Sequence, residues 1–144
     1  MAKSAPRPLS PHLTIWRWGA HMLVSILHRV TGDGLAIVGG ILLTWWLWAI
    51  ASGPAAYGTF LYYVWSADAG DVAGAIANVL ARIVLIGLTW AFFEHLFSGL
   101  RHLVLDMGAG YELRVNRLWS RVIVVAAPVA TAALWIWLCL GRAG

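Results

Sequence analysis

The sequence predicts an all-α integral membrane protein, three transmembrane helices in an up-down-up bundle, and three observations carry that prediction. Of its 144 residues, 61% are hydrophobic and only 11% are charged, whereas an ordinary soluble domain is about 25% charged. The apolar residues gather into three runs, each close to or longer than the roughly 20 residues that cross a bilayer core. The ten tryptophans sit mostly near the ends of those runs. Trp16 and Trp18, then Trp45, Trp46 and Trp48, then Trp135 and Trp137 cluster as aromatic belts at two membrane interfaces do, not as scattered core residues.

Residues 1–19 contain Pro6, Pro8 and Pro11 and the basic Lys3, Arg7 and Arg17. They read as an extended or partly helical segment on the membrane surface or against a soluble partner. The segment has neither the apolar core of a cleaved signal peptide nor the Arg-rich amphipathic pattern of an organelle transit peptide, so a bacterial plasma membrane is expected. The first span is expected over about 21–51. Its second half, Leu35 to Ile50, is a conventional apolar span, and its first half carries Ser25, His28, Arg29 and Asp33.

A loop is expected from Ser52 to Asp71, marked by Gly53, Pro54, Gly58 and Gly70 and devoid of Lys and Arg. The second span is expected over about 73–104, with Arg82 snorkelling to the nearer interface. A turn from Met107 to Trp119 leads to the third span, about 122–140, in which Pro128 is a tolerated kink. Residues 20–144 thus form the three-helix membrane part.

The formal net charge of +4 and pI near 9.8 do not point to nucleic acid, because the basic residues flank apolar runs instead of sharing a soluble face. Lys3, Arg7 and Arg17 precede the first span, and Arg114, Arg117 and Arg121 stand before the third. The first loop has none, so the N-terminus is expected in the cytoplasm and the C-terminus, with Arg142, in the periplasm. The single cysteine, Cys139, excludes an intrachain disulfide and a cysteine metal cluster.

The stretch Phe93 to Asp106 places two histidines, an arginine and two carboxylates at the edge of a long apolar run. At about 100° per residue, His95, Gly99, His102 and Asp106 share one helical stripe, and Arg101 points roughly 120° away. Gly99, one turn after His95, would admit something flat and bulky close to the backbone. In the first span His21, Ser25, His28, Arg29 and Gly32 form a second stripe. Arg29 lies 11 residues inward from Trp18 and His95 lies six inward from Arg101, so the two stripes are expected at similar depth on antiparallel helices.

Histidines in such a helix can be simple packing residues, and Arg29 can snorkel to the interface, paired with Asp33 one turn away. A buried arginine costs about 2.5–3.5 kcal/mol even on insertion scales, which favours an anionic or carbonyl-bearing ligand between the helices. One haem would account for His95, His28 and Arg29 together, as iron ligand and propionate partners. His95 and His102 cannot both ligate one iron: they stand about 10 Å apart on the same face. A second axial ligand must come from another helix or another chain.

These residues carry a resemblance. RPLSPHLTIW at 7–16, SILHRVTG at 25–32 and HLFSGLRHLVLD at 95–106, set in three spans, resemble the cytochrome b556 membrane-anchor family of succinate dehydrogenase, the C anchor of respiratory complex II. The resemblance implies an assembly with a flavoprotein that oxidises succinate, an iron-sulfur subunit and a second membrane anchor that completes the bundle. It implies that His95 is an axial ligand of one haem b shared with the second anchor, and that Ser25 and Arg29 bind ubiquinone. It further implies that His28 and Arg29 neighbour a haem propionate, and that residues 1–19 dock on the iron-sulfur subunit.

His102 is expected at a propionate or partner contact, and Asp106 is a candidate for proton uptake. Asp33 and Glu94 are charged where the family pattern suggests neutral residues. They are expected to pair with Arg29 or with partner-chain groups, or to mark an altered quinone site. The implied activity is a non-flavin subunit's share of succinate:ubiquinone oxidoreduction, with the succinate site on another chain. The alternatives are a quinol:fumarate reductase anchor and a purely structural anchor without haem.

Overall fold

The computed structural model describes residues 17–68 and 70–141. The RPLSPHLTIW motif and most of the segment expected to dock on a soluble subunit lie outside the described residues, as does Arg142. The described chain is helical, with no strand among the described residues. Three long helices, α1 (Ala20–Ala51), α3 (Val72–Asp106) and α4 (Leu113–Leu140), are joined by the short α2 (Pro54–Val64) and by a tight turn. With 32, 35 and 28 residues, the long helices measure about 42–53 Å at about 1.5 Å per residue, more than a hydrocarbon core of about 30 Å. Only 6%, 11% and 17% of their most apolar stretches is buried within the chain. The rest is exposed or half-buried, as expected of a membrane subunit.

α3 packs against both α1 and α4, and α1 also touches α4. The shared core is mostly small residues, Ala49 and Thr31 on α1, Ala91 and Ser98 on α3, Ser120, Ala127 and Thr131 on α4, beside the larger Val24, Ile123 and Glu94. Small side chains let helices approach closely where no hydrophobic effect drives association. The hydroxyls cost little because they bond to their own helices. Thr31 Oγ1 donates to Leu27 O at 2.7 Å, Ser120 Oγ to Asn116 O at 2.8 Å and Thr131 Oγ1 to Ala127 O at 2.8 Å. α4 continues through Pro128. It also begins at Leu113, well before the apolar run expected from about 122, because a helix is not obliged to start where the hydrocarbon does.

The expected loop after the first span is largely helix. Gly53 adopts φ 99°, Pro54 occupies the first helical turn, and the chain reverses so that Phe60 stands edge-on to Trp45 at 4.8 Å. A left-handed glycine followed by a proline whose missing N–H is no loss is a compact way to restart a helix. Asn78 of α3 closes the far end of α2: its Nδ2 donates to Tyr62 O at 2.7 Å and Tyr63 O at 2.9 Å, and its Oδ1 accepts from Ala67 N at 2.8 Å. Arg82 does not simply reach for the interface. Its Nη2 donates to Trp65 O at 3.1 Å, and its guanidinium carbon lies 5.2 Å from the Trp65 ring centroid. Asp71 caps α3 through Ala73 N at 3.1 Å and accepts from the Tyr62 hydroxyl.

Within α1, residues Leu35–Gly39 form a π-helical turn. α3 ends in a Schellman motif, in which Gly108 N donates to Leu105 O at 2.9 Å and Ala109 N to Val104 O at 3.3 Å, with Gly108 at φ 80°.

Candidate functional site

The two polar stripes meet. The rings of His28 on α1 and His95 on α3 stack with centroids 4.1 Å apart and planes within 8°, and His102 lies 5.1 Å from His28, tilted at 47°. His95 Nδ1 lies 3.1 Å from the backbone oxygen of His28. Since a carbonyl can only accept, that bond puts the proton on Nδ1 and leaves Nε2 with its lone pair. This is the usual arrangement of a metal-binding imidazole, with one nitrogen anchored by the backbone and the other presented.

The close approach is made by Gly32. A Cβ there would stand 2.9 Å from His95 Cε1 and 3.3 Å from its Nδ1, so any larger residue must push the ring. Gly99, the glycine that spacing singled out for clearance, is less constrained: an added Cβ would make an ordinary 3.9 Å contact with His28 Cε1. Helical phase alone could not rank the two, because the tightness depends on where the opposing ring lies.

Ser25 and Arg29 are exposed on α1, and Ser25 lines an open groove with Trp18, His21, Met22 and Ile26. Asp33, His102 and Asp106 are exposed as well. Glu94 behaves differently. It is fully buried and is held by Ser98 Oγ, which donates to its Oε1 at 3.3 Å. It is not paired with Arg29, and its Oε2 has no partner. The position was conspicuous in the sequence, but its inward orientation follows from packing of α3 against its neighbours.

Buried nitrogens without partners support a site completed from outside. His28 Nδ1 and His21 Nδ1 are buried and make no hydrogen bond, and a buried unpaired polar atom costs about 1–3 kcal/mol. The residues present therefore suit a haem: His95 Nε2 is available to iron, while His28 and Arg29 are a donor and a cation for propionates. Among the described residues no group of three or more His, Cys, Asp or Glu is placed to hold a metal, which a single axial ligand does not require.

The model of the succinate dehydrogenase/fumarate reductase transmembrane subunit family matches residues 3–134. The chain belongs to this family. It is 36% identical to the succinate dehydrogenase cytochrome b556 subunit of Paracoccus denitrificans, over 85% of each chain. It is 32% identical to the subunit of the same name from Rickettsia bellii (strain RML369-C), over 90% of this chain and 91% of the relative. To the mitochondrial succinate dehydrogenase cytochrome b560 subunit of Mus musculus it is 35% identical, over 90% of this chain and 69% of that one.

Proposed function

We propose that the chain is the haem b- and quinone-binding membrane anchor of a succinate:ubiquinone oxidoreductase. It would sit in a bacterial plasma membrane with its N-terminus cytoplasmic, beside a flavoprotein, an iron-sulfur subunit and a second anchor. The observation that carries the reading is His95, whose Nδ1 is tied to the His28 carbonyl oxygen so that Nε2 is free. Bound haem supplies one-electron redox chemistry at a potential set by its axial ligands and surroundings. The chain's own part is to orient it: His95 holds the iron, and His28, Arg29 and, nearer the helix end, His102 receive the propionates.

Ser25 and Arg29, one turn apart, are the quinone pair. The serine hydroxyl donates to a quinone carbonyl oxygen, and the guanidinium favours negative charge on that oxygen as it is reduced. Asp106, exposed at the end of α3, is the candidate group for proton uptake from the cytoplasmic side. Succinate oxidation belongs to another chain, from which electrons arrive through the iron-sulfur subunit.

The test is a reduced-minus-oxidised optical spectrum of the purified complex. A b-type band that disappears in His95→Ala is expected, and absence of the band in the native complex would leave a purely structural anchor. Ser25→Ala and Arg29→Ala are expected to slow quinone reduction at least about tenfold, the equivalent of one lost charge-assisted hydrogen bond. Succinate oxidation by a soluble artificial acceptor should persist, and equal loss of both activities would indicate failed assembly instead. The family name covers fumarate reductases too, and the potential of the bound quinone couple decides the direction.

A further inference from the structure

A second cavity lies across α3 from the histidines. It opens between α3 and α4 at the end where the two helices are joined, with a volume of about 330 Å³, within the roughly 300–1,000 Å³ of ligand pockets. Phe97, Leu100, Val104 and Trp119 contribute apolar wall, and Arg101 and Asn116 are its hydrogen-bonding side chains besides the Trp119 indole. Its α3 residues from Phe97 to Val104 fall about 140–240° around the helix from His95, and Leu105 at about 280°, at about 100° per residue. It is therefore separate from the proposed haem and quinone site.

The polar pair is incompletely satisfied. Arg101 Nη2 donates to Asn116 Oδ1 at 2.6 Å, while Arg101 Nε is buried with no acceptor. Depth distinguishes the two ends of the cavity. Asn116 stands in the first turn of α4, and Ala126, at the apolar end of the wall, is ten residues further along, about 15 Å deeper. That distance is half of a hydrocarbon core about 30 Å thick, the depth of one leaflet. Trp119 lies between, where an amphipathic ring belongs at a headgroup boundary.

We propose that this cavity seats one membrane phospholipid, with its phosphate on the Arg101 guanidinium and one acyl chain along the α3–α4 groove. A guanidinium that lacks an acceptor on one edge suits a phosphate oxygen. A neutral quinone offers a carbonyl but no charge to balance the arginine. A free phosphate leaves the apolar wall bare.

The protein, with whatever chains co-purify, is stripped of lipid by detergent exchange and reconstituted with phosphatidylglycerol. Native mass spectrometry then counts the lipids retained by the intact assembly under activation that removes loosely bound ones. One phosphatidylglycerol per copy is expected. Arg101→Gln should lower its retention about tenfold, the loss of one hydrogen bond to a charged group. Ala126→Phe, which keeps the Arg101–Asn116 pair and narrows the acyl-chain end, should lower it as well and serves if Arg101→Gln fails to assemble. Retention unchanged in both variants, a retained mass that belongs to quinone, or loss in Arg101→Gln but not in Ala126→Phe overturns the proposal. The optical spectrum is expected to be the same in wild type and both variants, so failure here is distinct from failure of the haem assignment.

Discussion

The two ends of α1 are held by opposite means. Around α2, polar groups find partners within the chain: Asn78 makes three hydrogen bonds, Arg82 bonds the Trp65 carbonyl and Asp71 joins Tyr62. Around His28 and His95 the helices are held by ring stacking and one hydrogen bond, and two histidine nitrogens are left buried and unpaired. The first region is complete by itself. The second has the chemistry of a surface that the proposed haem would finish, and the contrast separates the part of the chain that closes on itself from the part assigned to that ligand.

Mutations at the two regions should therefore fail in different ways. The largest effect is expected from His95→Ala, which removes the b-type band entirely while Asn78 and its partners are untouched. Gly32→Ala comes next. Its methyl group displaces the His95 ring, and disturbance of a metal ligand's support typically lowers affinity roughly 10- to 100-fold; haem titration of the variant complex measures it. Asn78→Ala should reverse the pattern, leaving the haem spectrum intact and destabilising the chain by about 1–3 kcal/mol through unsatisfied groups at the end of α2, read as a lower thermal midpoint in detergent. The smallest effect is expected from Glu94→Gln, which keeps an acceptor for Ser98 and removes a buried carboxyl. Haem content and thermal midpoint should both hold, and a fall in either would show that the acid itself is needed.

Much of the site was legible because helical phase and depth are both countable. Two histidine stripes at matched distances from Trp18 and Arg101 had to face each other once the helices were antiparallel, and His28, His95 and His102 do so. What could not be counted was contact. Gly32 and Gly99 occupy equivalent stripes, and only the position of the His95 ring makes Gly32 the tight one. Glu94 and His95 are neighbours in sequence, yet a 100° turn sends one into the helix core and the other to α1.

The fold was legible where apolar runs define it and less so between them. Gly53, Pro54 and Gly58 suggested a loop, but a proline in the first turn is compatible with a helix, and Phe60 packing on Trp45 stabilises one. Arg114, Arg117 and Arg121 obscured the start of α4 because charge marks the edge of the bilayer, not the edge of the helix. The position of Arg82 near the end of its apolar run points to snorkelling; its partner, the carbonyl of Trp65, becomes adjacent only when the chain folds back.

The π-helical turn at Leu35–Gly39 lies between the two regions. Such a turn carries an extra residue relative to the α-helix, so it sets the angular phase between the two halves of α1 as a coupling sets two shafts. The histidine-bearing half can present His28 and Gly32 to α3 while the distal half keeps Trp45 against α2. The spacing between the α2 contacts and the site is consequently fixed in whole residues: removing one would turn one half about 100° against the other, and no adjustment of side chains could bring both faces back into register.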